Sequence, residues 1–131
     1  MFSVDLSTRE CDGYVIVALR GELDILDAAG VAGALVAVTA RGPWVIVDLA
    51  GLGFIDASGL GALVSGWKQA RLAGGDLLLA APQRRVFEVL AITRLLDLFS
   101  VHPSVEEAVR GAGFSRQVAA PVASRVVLAA T

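Results

Sequence analysis

The chain has 131 residues, of which 56% are hydrophobic and 18% charged, with a formal net charge of −2. That length suits one domain with a two- or three-layer core, and so apolar a chain must bury much of its surface or offer some to a partner. The 11 Lys and Arg residues form no dense stripe, which argues against nucleic acid as the main ligand, and the single Cys11 excludes an internal disulfide or a multi-cysteine metal site.

Phe2 to Thr8 alternates apolar and polar residues (Phe2, Val4, Leu6), as a strand with one wet face should. Asp12-Gly13 is a turn signal, so Tyr14 to Leu19 reads as a second strand antiparallel to the first. Arg20-Gly21-Glu22-Leu23-Asp24 is expected to leave that strand as a loop carrying two carboxylates. Asp27 is the expected cap of a helix reaching about Thr39, with Val31, Leu35 and Val38 on its core stripe. The other faces of this helix are mainly Ala and Gly with almost no charge. A surface helix normally carries a charged face, so this one is either heavily covered or open to contact, and cover is the favoured reading.

Arg41-Gly42-Pro43 ends that helix. Trp44 to Leu49 is then an almost continuous apolar run, the pattern of a strand covered on both faces. Ala50 to Ile55 reads as a loop into a helix that runs to about Ala73, with Gly74-Gly75 as its stop. Asp76 to Ala80 is an interior strand. Pro82 suits the first turn of the next helix, whose inward stripe is Val86, Val89, Leu90 and Thr93. Leu98 to Val101 reads as a short edge strand and Ser104 to Val109 as a last helix, opened by a capping-box pattern and stopped by Gly111 and Gly113. The pattern divides the chain into a domain over 1–113 and a tail over 114–131 that is apolar but has no assigned element.

Strands alternating with helices predict an α/β fold: a mixed β-sheet with an antiparallel first strand and parallel β-α-β units, flanked by about four helices. No signal peptide is expected, because Asp5, Arg9 and Glu10 interrupt any early apolar run. No membrane span is expected either, since the longest apolar stretch, Ala28 to Ala40, is about 13 residues. The chain therefore reads as soluble and cytoplasmic.

The segment Phe54-Ile55-Asp56-Ala57-Ser58-Gly59-Leu60 carries the functional signal. Asp56 is placed to cap the helix by accepting from the N–H of Ser58 or Gly59, which puts Ser58 in the first turn. A serine there is usually structural. Functional loops of such sheets, however, gather at the carboxyl ends of the parallel strands, and Asp24 is expected at the same edge. Free amides and the positive end of the helix dipole would accommodate an anion on Ser58. A nucleophilic serine fits poorly. The elbow motif places Gly two residues before and after the serine, where Asp56 and Leu60 stand, and the lone His102 is remote in sequence. A small-nucleotide hydrolase fits poorly too, because the chain has no P-loop Gly-Lys-Ser/Thr.

Gly21-Glu22-Leu23-Asp24, the strand Val45-Ile46-Val47-Asp48-Leu49, and the Phe54–Leu60 segment together resemble the bacterial anti-sigma-factor antagonists of the STAS domain family. Gly74-Gly75, the Pro82…Val86…Val89-Leu90 helix and Ser104-Val105-Glu106-Glu107-Ala108 extend the resemblance over residues 2 to 112. It implies a STAS-like fold and a regulatory binding module that is not an enzyme and uses no cofactor or metal. The implied partner is an anti-sigma factor that is also a serine kinase of the histidine-kinase-like ATPase fold. Binding it frees a sigma factor, phosphorylation of Ser58 ends binding, and a PP2C-type phosphatase restores it. The partner surface carried over is Asp24, Asp56, Ala57, Ser58, Gly59 and Leu60, with Gly59 allowing close approach of a partner backbone. A homodimer is left open. Ala57 stands where many relatives carry a second hydroxyl, and Arg94 where they often carry Gly. The competing reading is a structural STAS module of a transporter or large signalling assembly.

Overall fold

A computed structural model describes residues 4–118. β1 (Val4–Cys11) and β2 (Tyr14–Leu23) form an antiparallel hairpin. Asp12 and Gly13 make its two-residue turn, both with positive φ (52° and 86°), the backbone hand that matches the strand twist. β3 (Trp44–Ile55), β4 (Asp76–Ala80) and β5 (Val101–His102) follow, each parallel to its neighbour, in the order β1-β2-β3-β4-β5. The helices are α1 (Ile25–Thr39), α2 (Ala57–Leu72), α3 (Arg84–Ile92) and α4 (Val105–Val118). The mixed sheet and four helices are those expected from the sequence.

Alternation along the strands builds two unequal layers. Val17, Leu19, Val45, Val47, Leu77 and Leu79 point to one face, where α1, α2 and α3 close over them through Val31, Leu35, Leu63, Val86 and Leu90. Ile16, Ile46 and Leu78 point to the other, covered by Ala108 of α4. The consecutive Leu77, Leu78 and Leu79 are all buried because β4 is covered on both sides.

Several boundaries differ from the sequence reading, each for a local reason. Arg20 to Leu23 and Ala50 to Ile55 are strand, not loop: β2 and β3 continue side by side, pairing Arg20 with Gly51 and Leu23 with Ile55. Register shifts at Ala18/Arg20 and Gly21/Glu22 break the apolar alternation there, which hides the strand. Pro82 lies outside α3, whose N-cap is Gln83. The edge strand is Val101–His102, because a 3-10 turn at Leu95–Asp97 takes up the amides of Leu98 and Phe99. Gly111 and Gly113 do not stop α4, which continues to Val118. The expected tail thus contributes 114–118 to a helix, and the remainder of 114–131 lies outside the described residues.

Candidate functional site

β2 and β3 end in register, Leu23 beside Ile55, so the next residue of each strand starts a helix at the same sheet edge. Those residues are Asp24 and Asp56. Both have extended backbones and act as N-caps: Asp24 Oδ1 accepts from the Leu26 amide and Asp56 Oδ1 from the Gly59 amide, each at 3.0 Å. The Asp56 amide donates to Leu23 O at 3.2 Å, tying the two caps together. Asp24, not Asp27, therefore caps α1; Asp27 sits in its first turn.

Ser58 is the second residue of α2 and is half-buried, beside the exposed Ala57. Glu22, Asp24, Asp27 and Asp56 are all partly exposed around it in sequence and fold, so this edge carries negative charge. Asp24, Asp56, Ala57 and Ser58 are brought together as expected.

Gly59 and Leu60 are not contact surface. Both are buried, Leu60 with 6% of its area exposed. A Cβ on Gly59 would stand 2.8 Å from Leu23 O, Leu23 Cγ and Ile55 Cγ1. The glycine is there so that α2 can lie against the ends of β2 and β3, and its close approach is to the protein's own backbone. The exposed apolar groups at this edge are others: Ile25 (70%), Leu26 (80%) and Phe54 (42%). Sequence reasoning missed them. The signal was available for Ile25 and Leu26, since neither falls on the spacing of the Val31-Leu35-Val38 stripe.

His102 sits on β5 beside Gly111 of α4, and α4 covers the sheet face opposite to α2. That placement sets His102 against α4 and not beside Ser58 as its base. Among the described residues no group of three or more His, Cys, Asp or Glu could hold a metal ion, and no helix is long and apolar enough to cross a membrane.

The model of the STAS domain family matches residues 5–108. The chain belongs to the STAS-domain family. It is 29% identical over 108 residues to the anti-sigma-B factor antagonist of Bacillus subtilis, covering 82% of this chain and 99% of that protein. The solved anti-sigma factor antagonist from Mycobacterium paratuberculosis superposes with a TM-score of 0.77 at 23% identity, over 85% of this STAS chain and 95% of that one. The Bacillus cell-fate determinant SpoIIAA in its phosphorylated form superposes with a TM-score of 0.62 at 20% identity, over 81% and 97%. In this STAS domain the two aspartates and Ser58 occupy the joined ends of the two longest strands.

Proposed function

We propose that this STAS domain is a cytoplasmic anti-sigma-factor antagonist whose docking is switched off by phosphorylation of Ser58. The unmodified edge, with Asp24, Asp56, Ala57 and Ser58 and the apolar Ile25 and Phe54, docks on an anti-sigma factor that is also a serine kinase of the histidine-kinase-like ATPase fold. Docking frees a sigma factor, and a PP2C-type phosphatase reverses the modification. The name of the Bacillus subtilis relative supports the antagonist role. The observation that carries the switch is Ser58 itself, partly exposed in the first turn of α2 at the sheet edge that also holds the capping Asp24 and Asp56.

The first amides of a helix have no intrahelical acceptor, and the Asp56 carboxylate takes up that of Gly59. A phosphate on Ser58 is thus tolerated by the fold and helped by the dipole, by about 0.3–1 kcal/mol. It adds about 1.5 to 2 negative charges. Against one partner carboxylate at about 5 Å, with an effective dielectric between roughly 20 and 80, the repulsion is roughly 1 to 7 kcal/mol. Since 1.4 kcal/mol is about tenfold in affinity, one phosphate converts a binder into a non-binder without unfolding it.

The test is to incubate the protein with candidate anti-sigma kinases and ATP, locate an added mass of about 80 Da (one phosphoryl group), and measure complex formation. Phosphate on Ser58 and loss of the complex are expected. Ser58→Ala should stay bound in the presence of ATP, and Ser58→Asp, with a single charge, should release only in part. Identical responses of Ser58→Ala and the unaltered protein to kinase and ATP would overturn the reading.

A further inference from the structure

The face of α1 turned away from the core is unusual for a surface helix. Leu26 (80% exposed) and Val36 (39%) stand out on it, and Ala29, Gly30, Gly33, Ala37 and Ala40 complete a continuous exposed strip at steps of three and four residues. The helix contains a single charged residue, Asp27. The expectation that this face is covered is not met within the described residues. Nor does the protein's own packing need its glycines: a Cβ on Gly30 or Gly33 would meet nothing within 4 Å, whereas one on Gly66 of α2 would stand 2.9 Å from Leu35 Cβ. Gly in a helix interior is unfavourable relative to Ala, so two glycines with open space call for something outside the described residues.

We propose that this face of α1 is a self-association surface, on which α1 of a second copy packs antiparallel about a twofold axis at Gly33. Such a twofold matches each residue with one equally far on the other side of the axis. Leu26 then faces Ala40, Ala29 faces Ala37, Gly30 faces Val36, and Gly33 faces itself. Every bulky side chain meets a small one, and the point of closest approach has no side chain at all. A parallel arrangement would set Leu26 on Leu26 and Asp27 on Asp27.

Charge points the same way. The amino end of α1 carries Asp24 and Asp27, and its carboxyl end is followed by Arg41, whose side chain is 47% exposed. The antiparallel pairing brings Arg41 of one copy to the acidic end of the other and opposes the two helix dipoles. Arg41 already donates to Thr8 Oγ1 and Glu10 Oε2 at 3.3 Å, and its guanidinium has further donors to share. One helix face is smaller than the roughly 800 Å² per partner of a standard interface, so the dimer is weak and governed by concentration.

The proposal concerns the chain alone and is tested without a kinase, so it stands or falls separately from the Ser58 switch. Sedimentation equilibrium of the full chain from roughly 10 μM to 1 mM should show the mass rising from that of one 13.5 kDa chain towards twice that value. Gly33→Glu, which has room within the monomer, should weaken association at least tenfold while circular dichroism stays unchanged. Arg41→Glu should weaken it too, and Asp27→Arg added to Arg41→Glu should restore it. A mass that stays at one chain throughout, or association indifferent to Gly33→Glu, would overturn the proposal. A monomeric chain whose Gly33→Glu variant loses kinase docking would overturn it as well, giving the face to that partner instead.

Discussion

Gly59 and Gly30 show how the same residue type answers two different constraints. At Gly59 an added methyl would press on Leu23 O, Leu23 Cγ and Ile55 Cγ1 at 2.8 Å, between backbone and buried side chains that cannot retreat. Gly59→Ala is therefore expected to destabilise the domain by about 1–3 kcal/mol, the usual cost of overpacking. Gly30→Ala, with nothing within 4 Å, should instead stabilise it by about 0.5–1 kcal/mol through helix propensity. Urea unfolding of both variants, with midpoints moving in opposite directions, is the check. The sequence announced that Gly59 mattered but not on which side. Asp56-Ala57-Ser58-Gly59 reads equally well as a surface for a partner and as a helix start pressed onto two strand ends, and only the buried position of Gly59 distinguishes them. The cap of α1 was ambiguous for a similar reason, because Asp24 and Asp27 are one helical turn apart and either could open it. Pairing of Leu23 with Ile55 ends β2 there and makes Asp24 the cap.

At the scale of an element, the exit of α3 holds Arg94, which like Asp12 and Ala81 among the described residues carries a side chain at positive φ. Thr93 ends the helix, and Arg94 adopts a left-handed conformation (φ 67°, ψ 17°) before the 3-10 turn at Leu95–Asp97. A side chain in that region costs roughly 1–2 kcal/mol against glycine. Among the described residues the Arg94 side chain pairs with Asp97 at 3.5 Å, an exposed pair of a kind that contributes little. Arg94→Gly should therefore raise the unfolding free energy by about 1 kcal/mol, measured by chemical denaturation; a lower midpoint would show that the Arg94–Asp97 pair outweighs the backbone strain. The family resemblance marked this position, since Arg94 stands where relatives often carry Gly. The far ends of β2 and β3 were not legible in the sequence, because register shifts interrupt their apolar alternation while glycines at 21, 51 and 53 imitate a loop. Helix α4 was cut short by reading Gly111 as a stop. Gly111 instead lies against the His102 ring, where a Cβ would come within 3.2 Å of Cε1, so it is kept small by packing.

For the molecule as a whole, that contact links the sheet to its less covered face and gives stability a pH dependence. Burial between β5 and α4 lowers the pKa of His102 from its ordinary 6.5, and the nearby Glu107 only partly opposes the shift. The folded state therefore favours the neutral ring. Its contribution is fully present above pH 6.5 and is lost as the pH falls from there through the lower folded value. Asp76 acts in the opposite sense: burial raises its pKa above 3.8 despite the Leu77 amide and Arg71, so its contribution is greatest when protonated and is lost as the pH rises through that higher value. Acidification from neutral pH should then first weaken the fold through His102, with Asp76 offsetting part of the loss further down. Replacing His102 with Gln should flatten the decline below pH 6.5, and replacing Asp76 with Asn should remove the offset. Thermal unfolding midpoints measured between about pH 7.5 and pH 4 would separate the two, a window that starts above the ordinary His value and stops just above the ordinary Asp value. A decline just below pH 6.5 that persists unchanged in His102→Gln would mean that the site lies elsewhere and that the contact between β5 and α4 does not sense protons.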